Sequence, residues 1–158
     1  NGQNVKYRPD INLMLSCQVD TSNLGYLTWY VNFEPGQLEA VARDVSHKLE
    51  TVSAPVQIKL VPCYELSDSI LQVEAYILDE IERVVISDRS LIAVKVEGDG
   101  ELIGLDNGDL ADVTDYTAPY RSAYEGKLMI YVRRISKGAI KISASNPYLK
   151  SAELVINS

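Results

Sequence analysis

The sequence predicts an all-β chain: an immunoglobulin-like antiparallel β-sandwich over residues 54–158, preceded by a partial second β-sandwich, the C-terminal strands of a truncated domain over residues 1–53. Three observations carry this. Apolar residues recur with a period of two, turn chemistry separates the runs, and a segment near residue 30 is echoed about one sandwich length later.

In the first part, Ile11 to Cys17, Tyr26 to Phe33 and Gln37 to Asp44 read as strands, with Pro35-Gly36 turning between the last two. His47 follows in Asp44-Val45-Ser46-His47-Lys48 and reads as a surface-loop residue before the inter-domain linker; its neighbours supply no nucleophilic or metal partner. Pro55 opens the second part. Ile58 and Leu60 mark its first strand. Leu71, Val73, Ala75 and Ile77 then alternate with Gln72, Glu74 and Tyr76, the pattern of a half-buried strand. Ile70, Val73, Ile77 and Ile81 also have near-helical spacing, but β-branched residues lose side-chain freedom in helices, which favours the strand. Further strands follow at Val94 and Val96, at Leu128, Ile130 and Val132, at Ile140, Ile142 and Ala144, and at Leu154 and Ile156. Gly98-Asp99-Gly100, Asp106-Asn107-Gly108, Lys137-Gly138 and Asn146-Pro147 are the turns between them. The Cys-Trp-Cys spacing of antibody domains is absent. The echo pairs Tyr30-Val31 and Gly36 to Ala42 with Tyr131-Val132 and Gly138 to Ala144.

Composition excludes several functions. Of the 158 residues 46% are apolar and 23% charged, as in ordinary globular domains, and the length is too short for a catalytic barrel. The net charge of −7 repels phosphate backbones and anionic headgroups, so neither nucleic acid nor a membrane surface is expected as partner. No apolar run reaches the length of a bilayer span, and no leader precedes a cleavage site. The start at Asn1-Gly2, without methionine, reads as an excised fragment. A single histidine removes multi-histidine metal sites. Cys17 and Cys63 leave open a disulfide or two buried thiols.

Three groups of residues invite chemistry. The carboxylate pairs Glu80 and Glu82, Asp106 and Asp109, and Asp112 and Asp115 fall in stretches that read as loops, where acids are solvated rather than tuned for catalysis. The acidic run Asp99, Glu101, Asp106, Asp109, Asp112 and Asp115 offers oxygens to calcium but lacks the spacing of a helical calcium loop, and a solvated loop around an Asn107-Gly108 turn accounts for it equally. Ten tyrosines stand against one tryptophan and one phenylalanine. Tyr116, Tyr120 and Tyr124, with Arg121 among them and Asp106, Asn107 and Asp109 beside them, would line a sugar groove or an interdomain contact; the plainer alternative is that these rings pack on strands and sheet edges.

Four segments, in order, carry a resemblance. They are Trp29-Tyr30-Val31 leading into Glu34-Pro35-Gly36-Gln37-Leu38-Glu39-Ala40-Val41-Ala42; Glu97-Gly98-Asp99-Gly100-Glu101-Leu102-Ile103-Gly104-Leu105-Asp106-Asn107-Gly108-Asp109; Arg121-Ser122-Ala123-Tyr124-Glu125-Gly126 running into Leu128-Met129-Ile130-Tyr131-Val132; and Gly138 to Ala144 followed by Leu149-Lys150-Ser151-Ala152-Glu153-Leu154. The chain from Trp29 onward resembles the C-terminal, immunoglobulin-like region of bacterial family 2 glycoside hydrolases of the β-galactosidase type. It departs from the pattern at Val61-Pro62-Cys63-Tyr64-Glu65-Leu66 and before Trp29. The resemblance implies that the catalytic carboxylates lie in a separate upstream barrel, so no catalytic residue is carried over. It further implies no cofactor, the catalytic domain of the same polypeptide as partner, and a periplasmic or extracellular setting. A bare sheet edge in the truncated domain would invite a homodimer. A carbohydrate-binding or adhesin-type surface module shares the same frame and is the alternative.

Overall fold

The computed structural model describes residues 18–20, 28–30, 33–42, 45–63 and 69–157, and among them there is no helix. The chain divides into two compact units, Asn1–Thr51 and Val52–Ser158. In the first unit β1 (Gln18–Asp20) pairs antiparallel with β2 (Thr28–Tyr30), and β3 (Gln37–Ala42) pairs antiparallel with β4 (Val45–Glu50). The strand expected at Ile11 to Cys17 lies outside the described residues, as does Cys17. One expectation is corrected here. His47 is not in a loop but on β4, opposite Ala40. The sequence Val45–Glu50 hid this strand because only Val45 and Leu49 are apolar, which gives no alternation to read.

The second unit contains β5 (Gln57–Pro62), β6 (Ile70–Leu78), β7 (Leu91–Gly98), β8 (Gly100–Asp106), β9 (Tyr120–Ser122), β10 (Lys127–Arg134), β11 (Ile140–Asn146) and β12 (Leu149–Ile156). Their order is β8-β10-β6-β5-β12-β11-β7-β9. All neighbours are antiparallel except β5 and β12, which run parallel and meet at Lys150 and Gln57. The first four strands form one layer of an immunoglobulin-like sandwich and the last four the other.

Alternation explains the layers. On β6, Leu71, Val73, Ala75 and Ile77 are buried while Gln72, Glu74 and Tyr76 face outward. They meet Val132, Ile130 and Leu128 of β10, where the small Ala75 lies opposite Leu128. Ile92 and Val94 of β7 with Ile140, Ile142 and Ala144 of β11 supply the facing layer. Burying an aliphatic side chain of this size stabilises by about 1.5–3 kcal/mol, which is why these strands sit at the centre of both layers. The segment with near-helical spacing is the strand β6.

The sequence showed no strand at β8, and a bulge is the reason. Tyr131 pairs with Gly104 and Val132 with Leu102, so Ile103 is the extra residue and the apolar alternation breaks there. The anticipated turns are present. Gly98 has φ +84°, and a Cβ there would lie 2.2 Å from the carbonyl oxygen of Ala139, so the β7–β8 and β10–β11 turns interlock only around glycine.

Candidate functional site

The segment between β8 and β9, residues 107–119, runs without a strand or helix of its own. A segment of this length is ordinarily loose. Here Asx turns lock it: Asp106 Oδ1 accepts the N–H of Gly108 at 3.0 Å, Asn107 Oδ1 that of Asp109 at 3.0 Å, Asp109 Oδ1 that of Ala111 at 3.0 Å, Asp112 Oδ1 that of Thr114 at 2.8 Å, and Asp115 Oδ1 that of Thr117 at 2.8 Å. The leg before β9 folds back along β8, where the N–H of Leu105 donates to the carbonyl of Tyr116 at 2.8 Å.

Arg121 holds the base of this loop. Its position on β9 opposite Ile92 turns it inward, and its exposure is 1%. Nε donates to Asp112 Oδ2 at 3.0 Å, Nη1 to the Leu105 carbonyl at 2.7 Å and Nη2 to the Thr114 carbonyl at 3.1 Å. The Tyr116 ring lies over the guanidinium at 4.3 Å. Asn107 Nδ2 donates both to Asp112 Oδ2 at 2.8 Å and to the Ser122 carbonyl at 2.9 Å. Asp112 is thereby held well below the usual carboxylate range, first by the Thr114 hydroxyl and N–H and then by Arg121 and Asn107, against an opposing push from burial. Asp115 is lowered by the N–H and hydroxyl of Thr117.

The residues singled out from the sequence therefore cluster, in two kinds. Asp106, Asn107, Asp109 and Arg121 form the scaffold, with Arg121 buried and its donors committed, so it offers nothing to a sugar at the surface. Asp106 is not a loop residue but the last residue of β8. Tyr116 and Tyr120 are exposed. Tyr124 is half-buried and bridges to Lys127, while the Arg89 guanidinium lies 4.7 Å from its ring and pairs with Asp109 at 3.2 Å. Leu110 and Val113, which no alternation marks in the sequence, are fully exposed on the same loop. Among the described residues no three acidic, histidine or cysteine side chains converge on a metal position.

Asp79 is the other buried ionisable group among the described residues, with 0% exposure. Oδ1 accepts the N–H groups of Ile81 at 3.1 Å and Arg83 at 2.9 Å; Oδ2 accepts Ser53 N–H at 3.1 Å and the Arg83 guanidinium at 2.9 Å. Burial raises its pKa, but these donors outweigh burial and bring it down to about 2. It is a structural anion that caps the turn after β6. Among the described residues every buried side-chain polar atom has a partner.

On the outer face of the first layer, Glu74, Asp106, Lys127, Met129 and Tyr131 line a shallow groove of about 220 Å³. Glu74 accepts the Tyr76 hydroxyl, and that hydrogen bond, then burial and the Glu74 charge, push the phenol up to about 12. Cys63, a free thiol beside it, is raised by burial and by Glu74.

Comparison with known proteins agrees with this frame. Beta-galactosidase BoGH2A of Bacteroides ovatus is 27% identical over 148 residues, which covers 87% of this chain and 17% of that protein. A beta-glycosidase from Bacteroides vulgatus superposes with a TM-score of 0.69 at 20% identity, covering 86% of this chain and 19% of that one. A glycosyl hydrolase family 2 member from Bacteroides cellulosilyticus gives 0.72 at 19% identity, with 84% and 19% covered. The chain thus spans under a fifth of the length of these relatives. The model of glycoside hydrolase family 2 C-terminal domain 5 matches residues 66–155. With its strand order and the match across more than half its length, the chain belongs to the glycoside hydrolase family 2 C-terminal domain 5 family.

Proposed function

We propose that this chain is the non-catalytic accessory C-terminal region of a family 2 glycoside hydrolase of the β-galactosidase type, exported to the periplasm or the cell exterior. It packs on the catalytic part of its own polypeptide and helps to shape the sugar-binding cleft. The match of residues 66–155 to a C-terminal domain family carries the reading. The ionisable groups agree with it: the two buried ones described, Asp79 and Arg121, are committed to turns and loops, and Asp79 is lowered rather than raised as a general acid would be. Hydrolysis of a nitrophenyl galactoside by the purified chain, above a control lacking a barrel, would overturn this reading; no turnover is expected.

The outer-face groove supports a second reading, a carbohydrate-binding or adhesin-type module. Carboxylates of Glu74 and Asp106 would accept sugar hydroxyls, and Tyr131 offers an aromatic face. Saturable binding of a glycan in a calorimetric titration would favour it. In the first unit, Leu38 and Leu49 face each other across β3 and β4 and are exposed, a small apolar surface on which a second copy would associate weakly; light scattering over a concentration series reads that association directly.

A further inference from the structure

The loop between β8 and β9 combines two properties that rarely coincide. Its backbone is fixed by the Asx turns and by the buried Arg121, yet it holds Leu110 at 104% and Val113 at 98% exposure, with Tyr116 at 57% and Tyr120 at 48% beside them. A rigid segment that displays aliphatic groups to water has its ordering entropy already spent, which is the condition for tight docking through a small surface. Tyr116 adds a ring whose one face is occupied by Arg121. Tyr120 lies opposite Ala93, so the patch continues onto the outer face of β7, where Leu91 is also exposed.

We propose that this loop is the docking element by which the domain seats on another domain of its own polypeptide, with Leu110 and Val113 entering an apolar socket whose rim is cationic. The inference rests on the accessory-domain reading above and names the surface that reading requires. The area argues for a tethered partner. Four side chains exposed to this degree offer on the order of 500 Å², below the roughly 800 Å² per partner that stable free complexes bury, so a second copy arriving from solution would be held weakly. A covalently linked domain meets the patch at an effective concentration in the millimolar range and needs no more area than this. The relatives show that such chain exists in proteins of this kind, since the matched region is 17% of the Bacteroides ovatus protein. The charge argues for the rim. Asp115 is exposed at the patch and the chain carries a net charge of −7, so cationic groups around the socket would complement it.

The test is site-specific photo-crosslinking in the intact polypeptide that carries this chain, with benzoylphenylalanine placed singly at positions 113, 135 and 155. All three native residues are exposed, and Ile135 and Val155 lie at the opposite end of the sandwich from the loop. Crosslinks from position 113 to residues beyond this chain in the same polypeptide, several-fold more abundant than from 135 or 155, are the expected result. Crosslinks from 135 or 155 with none from 113 overturn the assignment of the loop and leave the accessory-domain reading standing. Crosslinks from 113 to a second copy overturn it in favour of self-association. Silence at all three positions overturns the loop proposal together with the packing on which it rests.

Discussion

Replacing Arg121 by methionine keeps most of the buried bulk and deletes every donor the side chain contributes. Two carbonyls, that of the buried Leu105 and that of the half-buried Thr114, lose the N–H groups that reach them at 2.7 and 3.1 Å. A buried polar group left unpaired costs about 1–3 kcal/mol. Asp112 keeps Asn107 and Thr114 and is partly exposed, so its loss of the cation adds less. Loss of the Tyr116 contact adds about 0.5–1 kcal/mol. Together these reach the about 3–5 kcal/mol that breaking a buried pair ordinarily costs. In a domain of this size that lowers the melting temperature by about 12–20 °C. Arg121→Lys keeps the charge but places its donors on one point, which cannot fork between Asp112, Leu105 and Thr114; about half the loss is expected. Circular dichroism melts of both variants measure the total, and hydrogen exchange over residues 107–119 locates it. A methionine variant that melts within about 4 °C of the parent, with unchanged exchange in the loop, would refute the claim that Arg121 builds it.

Three further outcomes are expected. Asp79 is depressed from 3.8 to about 2, so its contribution to stability is complete above the unfolded value and is lost as pH falls through the folded one; acid titration of stability should drop between about pH 4 and 2, and less steeply in Asp79→Asn, which starts from a lower plateau. Glu125 and Gly126 both have positive φ, +50° and +70°, in the turn bridged by Tyr124 and Lys127; Glu125→Asn should stabilise by up to about 1 kcal/mol in denaturant titration, whereas Gly126→Ala, whose Cβ would meet the Val85 carbonyl oxygen at 2.6 Å, should destabilise. Ile130→Ala in the core should cost about 2–5 kcal/mol by the same assay, while Leu110→Ser should stay within about 0.5 kcal/mol, because nothing in its own domain touches it enough to shield it.

The strands that alternate most cleanly in the sequence are those with one face wholly in the core. β6, β10 and β11 alternate cleanly because water on one side and packed aliphatics on the other impose the period. β9 was invisible for the opposite reason: it is three residues long, and its inward residue is an arginine, which composition assigns to the surface. That same residue explains how the candidate site was half read. The cluster of Asp106, Asn107, Asp109, Tyr116 and Arg121 was legible as a cluster from turn chemistry and proximity in sequence. The division of labour within it was not, because burial of Arg121 depends on pairing with β7, a contact made 29 residues away at Ile92. Asp79 is not marked in the sequence because an acid that ends an apolar run beside Glu80 looks like solvation until three backbone N–H groups and the Arg83 guanidinium are placed around it.

The position of β12 bears on how the second unit comes to exist in time. Though last in sequence, it lies between β5 and β11 in the strand order rather than at a margin. The two layers can therefore be linked by backbone hydrogen bonds through β12 only after residues 149–156 have been synthesised and released, and until then β5 and β11 wait with bare backbone on that edge. Closure links the first strand of the unit to its last, a long-range pairing of the kind that slows folding to milliseconds or longer. A chain interrupted before Leu149 would not be a slightly shorter sandwich. It would be two half-sheets with sticky flanks, dependent on chaperones for as long as the gap stayed open.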